Sequence, residues 1–421
     1  MDYICIDLKC FYASCECIDR HVDPFTTPLV VADISRGKGA ICLAVSPRMK
    51  ELNVRNRCRL FEIPSSISYI IAKPRMQRYI DVSAFIYSIY LKYVSKEDIY
   101  VYSIDEVFIN VTSYKKLYNK NAIEIGKMII DDVYNTTGIK ATCGVGTNLF
   151  LCKIAMDIIS KHNKDNIGYL DEKLFKEKLW DYPKLTDFWQ IGTGIEKRLN
   201  KLNLYTLKDV ANCDKEILYK EFGVNASYLI DHSNGIDNTT IEEIKNYVPI
   251  SKSLSSGQVL DKDYPYEDTI LVIKEMVDGL VLDLISKRLI TQGVSIAIGY
   301  SNDRKTNERP KMSVKSRKLS KSTCSYKEIS QNVVELFEMI VDKSKLIRQI
   351  SISFSRLSLE SEYTSNLFED NDSTEKEKKV LKTIIDIKNK YGKSTILRGM
   401  SLDEKATMKK RNKLIGGHNA E

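Results

Sequence analysis

The chain has 421 residues, 43% of them hydrophobic, with a formal net charge of +8. That length and composition fit about two to four globular domains and exclude a disordered chain. No apolar run approaches the roughly 20 residues that cross a bilayer, and the N-terminus has no basic-then-apolar signal. A cytoplasmic protein without a membrane segment is expected.

Ten cysteines are scattered without a C-x-x-C pair, and there are four histidines. This argues against a zinc site and a disulfide framework. Cys15 and Cys17 read as ordinary thiols on one helix.

In chain order, the first third mixes strands and helices. Strands are predicted over 2–8, 29–32, 40–45, 100–110 (a pair) and 141–145, and helices from 11, over 75–93, 122–136 and 150–161. This predicts an α/β or α+β catalytic core. Asp7 sits inside the first apolar strand, and Ser103-Ile104-Asp105-Glu106 follows an apolar approach. Buried, unpaired carboxylates are costly, so such groups usually meet cations. Three acids without a histidine or thiolate motif suit a hard ion such as magnesium. Two such ions about 3.5–4 Å apart drive phosphoryl transfer. Read alone, the Asp-Glu pair is as easily a polar hairpin. Adjacent strand residues face opposite ways, so Asp105 and Glu106 are expected at a strand end or bend.

From 171 to 236 the pattern turns helical. A turn bearing Gly192 and Gly194 is followed by helices over 196–202 and 207–211. This reads as a helix-hairpin-helix whose turn N–H groups face a phosphate, or as an ordinary α-hairpin with a glycine cap. From 250 to 357, strands over 252–260, 293–300, 311–318 and 347–354 alternate with helices over 268–288 and 326–342. That order predicts a four-stranded sheet with two helices on one face. Residues 304–321 hold eight basic side chains and one acid, Glu308. Lys315 and Arg317 alternate with Ser316, so both fall on one strand face and are expected to meet a DNA backbone. Residues 360–379 read as a polar linker and 377–391 as a helix before a basic end.

The ordered motifs carry a resemblance. Asp7 with Phe11-Tyr12-Ala13-Ser14-Cys15-Glu16, Ser103-Ile104-Asp105-Glu106, Cys143-Gly144-Val145-Gly146-Thr147-Asn148 with Lys153-Ile154-Ala155, and Trp189-Gln190-Ile191-Gly192 resemble a Y-family (translesion) DNA polymerase. Lys252-Ser253-Leu254 and the segment to Leu357 are similar to its little finger. The tail Arg411-Asn412-Lys413-Leu414-Ile415-Gly416-Gly417-His418 resembles the UmuC-like branch of Gram-positive bacteria.

The resemblance implies an α+β right-hand architecture. It puts the palm at 1–18 and 75–165, fingers at 19–74, a helical thumb at 166–240, a linker at 241–249, the little finger at 250–358 and a tail at 359–421. It implies low-fidelity, template-directed synthesis on damaged DNA, part of the SOS damage response, with primer–template DNA and deoxynucleoside triphosphates as partners. Two Mg2+ ions would be held by Asp7, Asp105, Glu106 and the Leu8 carbonyl. Tyr12 would be the steric gate against a 2′-OH, and the Phe11 and Tyr12 N–H groups would face the triphosphate. Lys50 and Lys161 match triphosphate-binding positions, Lys161 offset by one residue. The sequence departs from the family with Pro47 near a usual tyrosine and Gln190 at a usual glycine. Thr364-Ser365-Asn366-Leu367-Phe368 resembles a sliding-clamp-binding motif, with Thr364 at the usual glutamine. Leu367 and Phe368 either dock a clamp or pack back on the little finger.

With the first catalytic acid at residue 7 and a short tail, no proofreading domain is expected. Two other readings remain: a non-catalytic DNA-binding scaffold with this fold, and a two-metal nuclease of unrelated fold. The intact acid triad argues against the first and the Tyr12 gate against the second.

Overall fold

The computed structural model describes residues 1–249, 253–302, 311–362 and 371–421. The expected clamp segment, with Leu367 and Phe368, lies outside the described residues. Two compact units form: residues 1–247 with Ala420–Glu421, and residues 248–419.

The first unit is built on five strands, β1 (Tyr3–Leu8), β5 (Ile99–Val101), β6 (Glu106–Asn110), β7 (Ala141–Gly146) and β8 (Ile167–Leu170), in the order β5-β6-β1-β7-β8. β1 is central and antiparallel to both neighbours. Tyr3 to Ile6 are all buried, because helices cover both faces. This is why β1 reads as a continuous apolar run rather than an alternating one. Tyr3, Cys5 and Phe108 pack against Leu149, Cys152 and Met156 on one face. On the other face lies the helix Ala122–Thr137, closed by an Asn121–Glu124 capping box and by Gly138 at φ 72°.

Three short strands, β2 (Leu29–Val31), β3 (Ala44–Val45) and β4 (Ile70–Ala72), make a second sheet ordered β3-β2-β4. Its core includes Val30, Ala32, Cys42, Val45 and Met49. The expected strand over 40–45 is thus only Ala44–Val45, preceded by a single bridge from Ile41 to Arg59. Past β8, the unit is helical to Asn246. The segment expected as a linker carries the helix Ile241–Asn246, whose Ile241 joins the Tyr3–Phe108 core.

In the second unit, β9 (Leu254–Tyr264), β10 (Leu289–Tyr300), β11 (Ser313–Thr323) and β12 (Ile347–Leu359) form an antiparallel sheet ordered β11-β10-β12-β9. The helices Tyr266–Ser286 and Tyr326–Ile340 bury one face through Val294, Ile296, Ile350, Ile352 and Phe354. This is the expected four strands and two helices. The chain end is not a free tail. The helix Asn371–Tyr391 puts Leu381 into the same core. Buried Glu275 accepts the backbone N–H groups of Thr407 (2.7 Å) and Met408 (3.1 Å). Lys405 and Lys410 pair with Asp268 and Asp261 at 2.7 and 2.6 Å.

One contact in the first unit sets its geometry. The helix from Leu149 lies directly on the glycines of β7. A Cβ on Gly144 would stand 2.1 Å from the Cys152 carbonyl oxygen and 2.2 Å from the Met156 nitrogen. On Gly146 it would stand 2.3 Å from the Cys152 nitrogen. Both clashes are with backbone, so no side chain can yield. Gly144→Ala is expected to destabilise the protein by roughly 3 kcal/mol or more. An unchanged urea midpoint would refute this packing.

Candidate active site

The three acids come from the neighbouring strands β1 and β6 and from the turn that leads from β5 into β6. Asp7 is the last residue but one of β1, and Glu106, which starts β6, is its direct cross-strand partner. Cross-strand partners share a face, so both point toward the helix from Leu149. Asp105 precedes β6 in a tight turn closed by the Tyr102 and Ser103 N–H groups on the Glu106 carbonyl, 2.9 and 3.1 Å. The turn is fixed from outside by Ser83, whose hydroxyl donates to the Ile104 carbonyl at 2.6 Å. Ser103 donates to Asp105 Oδ1 at 2.6 Å. The Leu8 N–H donates to the Asp105 carbonyl at 2.9 Å, tying the turn to the end of β1.

Burial, then the Asp105 charge, push the Asp7 carboxyl up to about 7, against the opposing pull of Lys161 and Lys153. Two acids crowded this way invite a cation. Glu106, on the same face, is held by the covering helix. Its Oε1 receives Lys153 Nζ at 2.8 Å and the Cys5 thiol at 3.3 Å. Lys153 also pairs with Asp157 at 2.9 Å. Burial opposes the Lys153 charge, but Cys5, Asp157 and Glu106 outweigh it and hold the ammonium above its ordinary value. Among the described residues, no three acidic, thiol or imidazole side chains already stand as a closed set of ligands. Asp7 and Asp105 fit a hard cation as they are. Glu106 joins them only by leaving Lys153. Sequence reading missed Lys153 as a partner of the triad; its spacing of four from Asp157 on a helix was the available signal.

Lys161 is brought close despite its offset in sequence. The helix Leu149–Ile154 continues as a π-helical turn over Ala155–Ile159. A π turn absorbs one extra residue. Lys161 follows it, paired with Asp157 at 3.0 Å and acting on Asp7.

Phe11 and Tyr12 open the helix Phe11–Ile18 after Cys10, which is left-handed at φ 49°. Their N–H groups belong to the first turn, which lacks intrahelical acceptors. The Tyr12 ring stacks on Tyr79, centroids 4.4 Å apart and 14° from parallel. Tyr79 is fully buried and donates to Glu16 at 2.8 Å. Arg75 holds Glu16 at 2.9 Å. The gate candidate is therefore a braced ring. Lys50, on the short helix Pro47–Glu51, stands near the Cys10 thiol at this helix start, where its charge counters the upward push of burial.

Gly192 caps the helix Thr193–Lys201, and nothing lies within 4 Å of a Cβ on Gly192 or Gly194. That helix N-terminus is open. Gln190 takes φ 68°, the left-handed conformation that explains glycine as the usual residue there.

Lys315 and Arg317 require a correction. They share a face of β11, opposite Ile296 and Val294. Those partners point into the helix-covered core, so this is the helix side of the sheet, where Lys315 on the edge strand stays exposed. The Arg317 guanidinium is bound to Glu335 (2.6 Å) and Asn332 (2.9 Å) of the covering helix. The basic residue of β11 on the opposite face is Lys318, across from Gly293. Alternation identified a shared face but not which face the helices cover.

The impB/mucB/samB family model matches residues 6–157, and the model of that family's C-terminal domain matches residues 251–367. The chain is 30% identical to the Bacillus subtilis protein UvrX over 421 residues, 99% of this chain and 97% of that one. It is 30% identical over 426 residues to DNA polymerase IV 2 of Bacillus subtilis, covering 98% and 97%. The fold is similar to that of a Y-family DNA polymerase chimera, Dbh-Dpo4(243-245)-Dbh, with a TM-score of 0.64 and 21% identity, over 85% of this chain and all of that one.

The crowding of Asp7 has a thermodynamic sign. Its carboxyl is raised in the folded state, so stability falls as pH rises from the unfolded value near 4 towards 7 and stays low above. Asp7→Asn removes the charge. In chelator-treated buffer at pH 8 the variant is expected to be more stable than the parent by on the order of 2 kcal/mol, less at pH 6. A variant no more stable at pH 8 would contradict the crowding.

Proposed function

The chain belongs to the UmuC-like branch of the Y-family DNA polymerases, and from that premise we propose that it carries out template-directed translesion synthesis by two-metal nucleotidyl transfer, without proofreading. It is a DNA-directed DNA polymerase. The observation that carries the mechanism is the meeting of Asp7, Asp105 and Glu106 at one end of the central sheet.

Asp7 and Asp105 would hold two Mg2+ ions, with the Leu8 carbonyl beside them and Glu106 completing the site at the primer 3′-OH. When bound, such ions stabilise the attacking and leaving oxygens. The chain's own residues do the positioning. Lys153 holds the Glu106 carboxylate in reserve within reach of the site by a direct ion pair. The free N–H groups of Phe11 and Tyr12, with Lys161 and Lys50, would receive the triphosphate. The Tyr12 ring, braced by Tyr79, would lie under the sugar and exclude a 2′-OH.

Primer–template DNA would meet the open helix N-terminus at Gly192–Gly194 and Lys318 on the uncovered face of the second sheet. Arg317 would order the covering helix, and Lys315 would lie at its edge. Docking of a sliding clamp through Thr364-Ser365-Asn366-Leu367-Phe368 remains part of this proposal. Among the described residues, no helix is long and apolar enough to cross a membrane. The proposed place of action is the nucleoid, in the cytoplasm.

Primer extension past a defined template lesion tests the function directly. The parent is expected to extend past the lesion and to leave a mismatched primer end unexcised. Asp105→Ala and Glu106→Ala are each expected to lower extension by roughly 10³-fold or more while primer–template binding persists. Retention of a tenth of the activity by either would sink the two-metal assignment.

Sugar choice gives an independent check. Tyr12→Ala is expected to raise ribonucleotide relative to deoxynucleotide incorporation by at least about 10²-fold, the scale of a lost steric exclusion. An unchanged ratio in competition assays would place the gate elsewhere.

A further inference from the structure

Two cysteines outside the catalytic site face each other in the small second sheet's subdomain. Ile41 and Arg59 form an antiparallel bridge, flanked by bonds from the Cys42 N–H to the Cys58 carbonyl (2.8 Å) and from the Leu60 N–H to the Ala40 carbonyl (3.0 Å). Cys42 and Cys58 are therefore opposed next to the bridge, joined by one backbone bond, while a bulge at Arg57 supplies the bond to the Cys42 carbonyl. Directly opposed strand residues have Cα atoms about 4.5–5.5 Å apart. Disulfides span Cα separations of about 4.4–6.8 Å. After burial, the neighbouring Cys58 thiol is the next cause that holds the Cys42 thiol above its ordinary value.

Their exposures are unequal. Cys42 is fully buried, whereas Cys58 is partly exposed. Its sequence neighbours Arg55, Arg57 and Arg59 are exposed as well. A partly exposed thiol is open to an oxidant, and the buried one behind it is reached through it. Arg57 is left-handed at φ 61°, and its N–H is held by the Cys42 carbonyl at 3.1 Å. The turn that presents Cys58 is thus fixed against Cys42.

We propose that Cys42 and Cys58 are a modification site, a thiol pair that closes to a disulfide under peroxide and reopens with a dithiol. In the first step the Cys58 sulfur takes one oxygen from hydrogen peroxide, giving a sulfenic acid and water. In the second, the Cys42 sulfur attacks the Cys58 sulfur. The S–O bond breaks, the oxygen leaves as water with the Cys42 proton, and the S–S bond forms. A dithiol reverses this by two exchanges and is itself oxidised. The bond would close a loop containing the helix Pro47–Glu51 and Lys50, which stands near Cys10 at the candidate triphosphate site. Oxidation would thereby tether the segment that carries Lys50.

The test uses the full chain in native buffer. It is treated with a small excess of hydrogen peroxide, then unfolded in denaturant so that every free thiol is alkylated, and digested without reductant. Alkylatable thiols are expected to fall from ten to eight, with one linked peptide joining Cys42 to Cys58. Dithiothreitol is expected to restore all ten, and Cys42→Ser or Cys58→Ser to abolish the link. An unchanged thiol count, or a linkage that joins other cysteines instead, would overturn the proposal. The parent's peptide map decides the matter even if a variant fails to fold.

Discussion

The site depends on how closely one helix approaches one sheet. The helix from Leu149 rests on Gly144 and Gly146, where any Cβ would collide with its backbone. That approach places Lys153 against Glu106 and, one turn on, Asp157 against both Lys153 and Lys161. A larger residue on β7 would lift the helix and pull two cations away from the acids. Asp7 and Asp105 would then face each other with less compensation than they have now. The glycines therefore act on the electrostatics of the site without touching it.

The same helix shows how a sequence offset can be cancelled in space. Lys161 stands one position beyond where the family resemblance puts it, and counting along a regular helix would rotate it by about 100°. The π turn over Ala155–Ile159 takes up the extra residue. Gly168 supports that turn, since a Cβ there would lie 2.5 Å from the Ala155 carbonyl oxygen. A linear count measures distance along the chain, but what the site requires is direction.

This separates what was legible in the sequence from what was not. The order of strands and helices, the four-stranded sheet with two helices, and the acids at a strand end could be read, because each rests on local periodicity or on a short motif. The face of β11 could not. Alternation is symmetrical, and only the packing of Val294 and Ile296 under the helices shows that Lys315 and Arg317 lie on the helix side. The chain end could not be read either. Its polar residues hide a few long-range contacts: Leu381 in the core, and the N–H groups of Thr407 and Met408 on one carboxylate oxygen of Glu275, more than 130 positions away. The Lys153–Glu106 pair was not read either, since the spacing of four marks Asp157 as one partner of Lys153 but nothing local links residues 106 and 153.

Net charge was the least informative feature, and the structure gives the reason. Much of the positive charge near the chain end is spent internally. Arg398 is paired with Asp278, Lys405 with Asp268, Lys410 with Asp261, and Arg317 with Glu335. These pairs fasten elements of one unit and leave less field for a polyanion than a count of lysines and arginines suggests. The uncovered face of that sheet is lined instead by small residues such as Ser295, Ala297, Ser316, Ser351 and Ser353, with Lys318 among them. Small side chains let a backbone approach closely and read no sequence. For the proposed polymerase this favours contact that is shallow and indifferent to base identity, which suits a template whose bases are damaged.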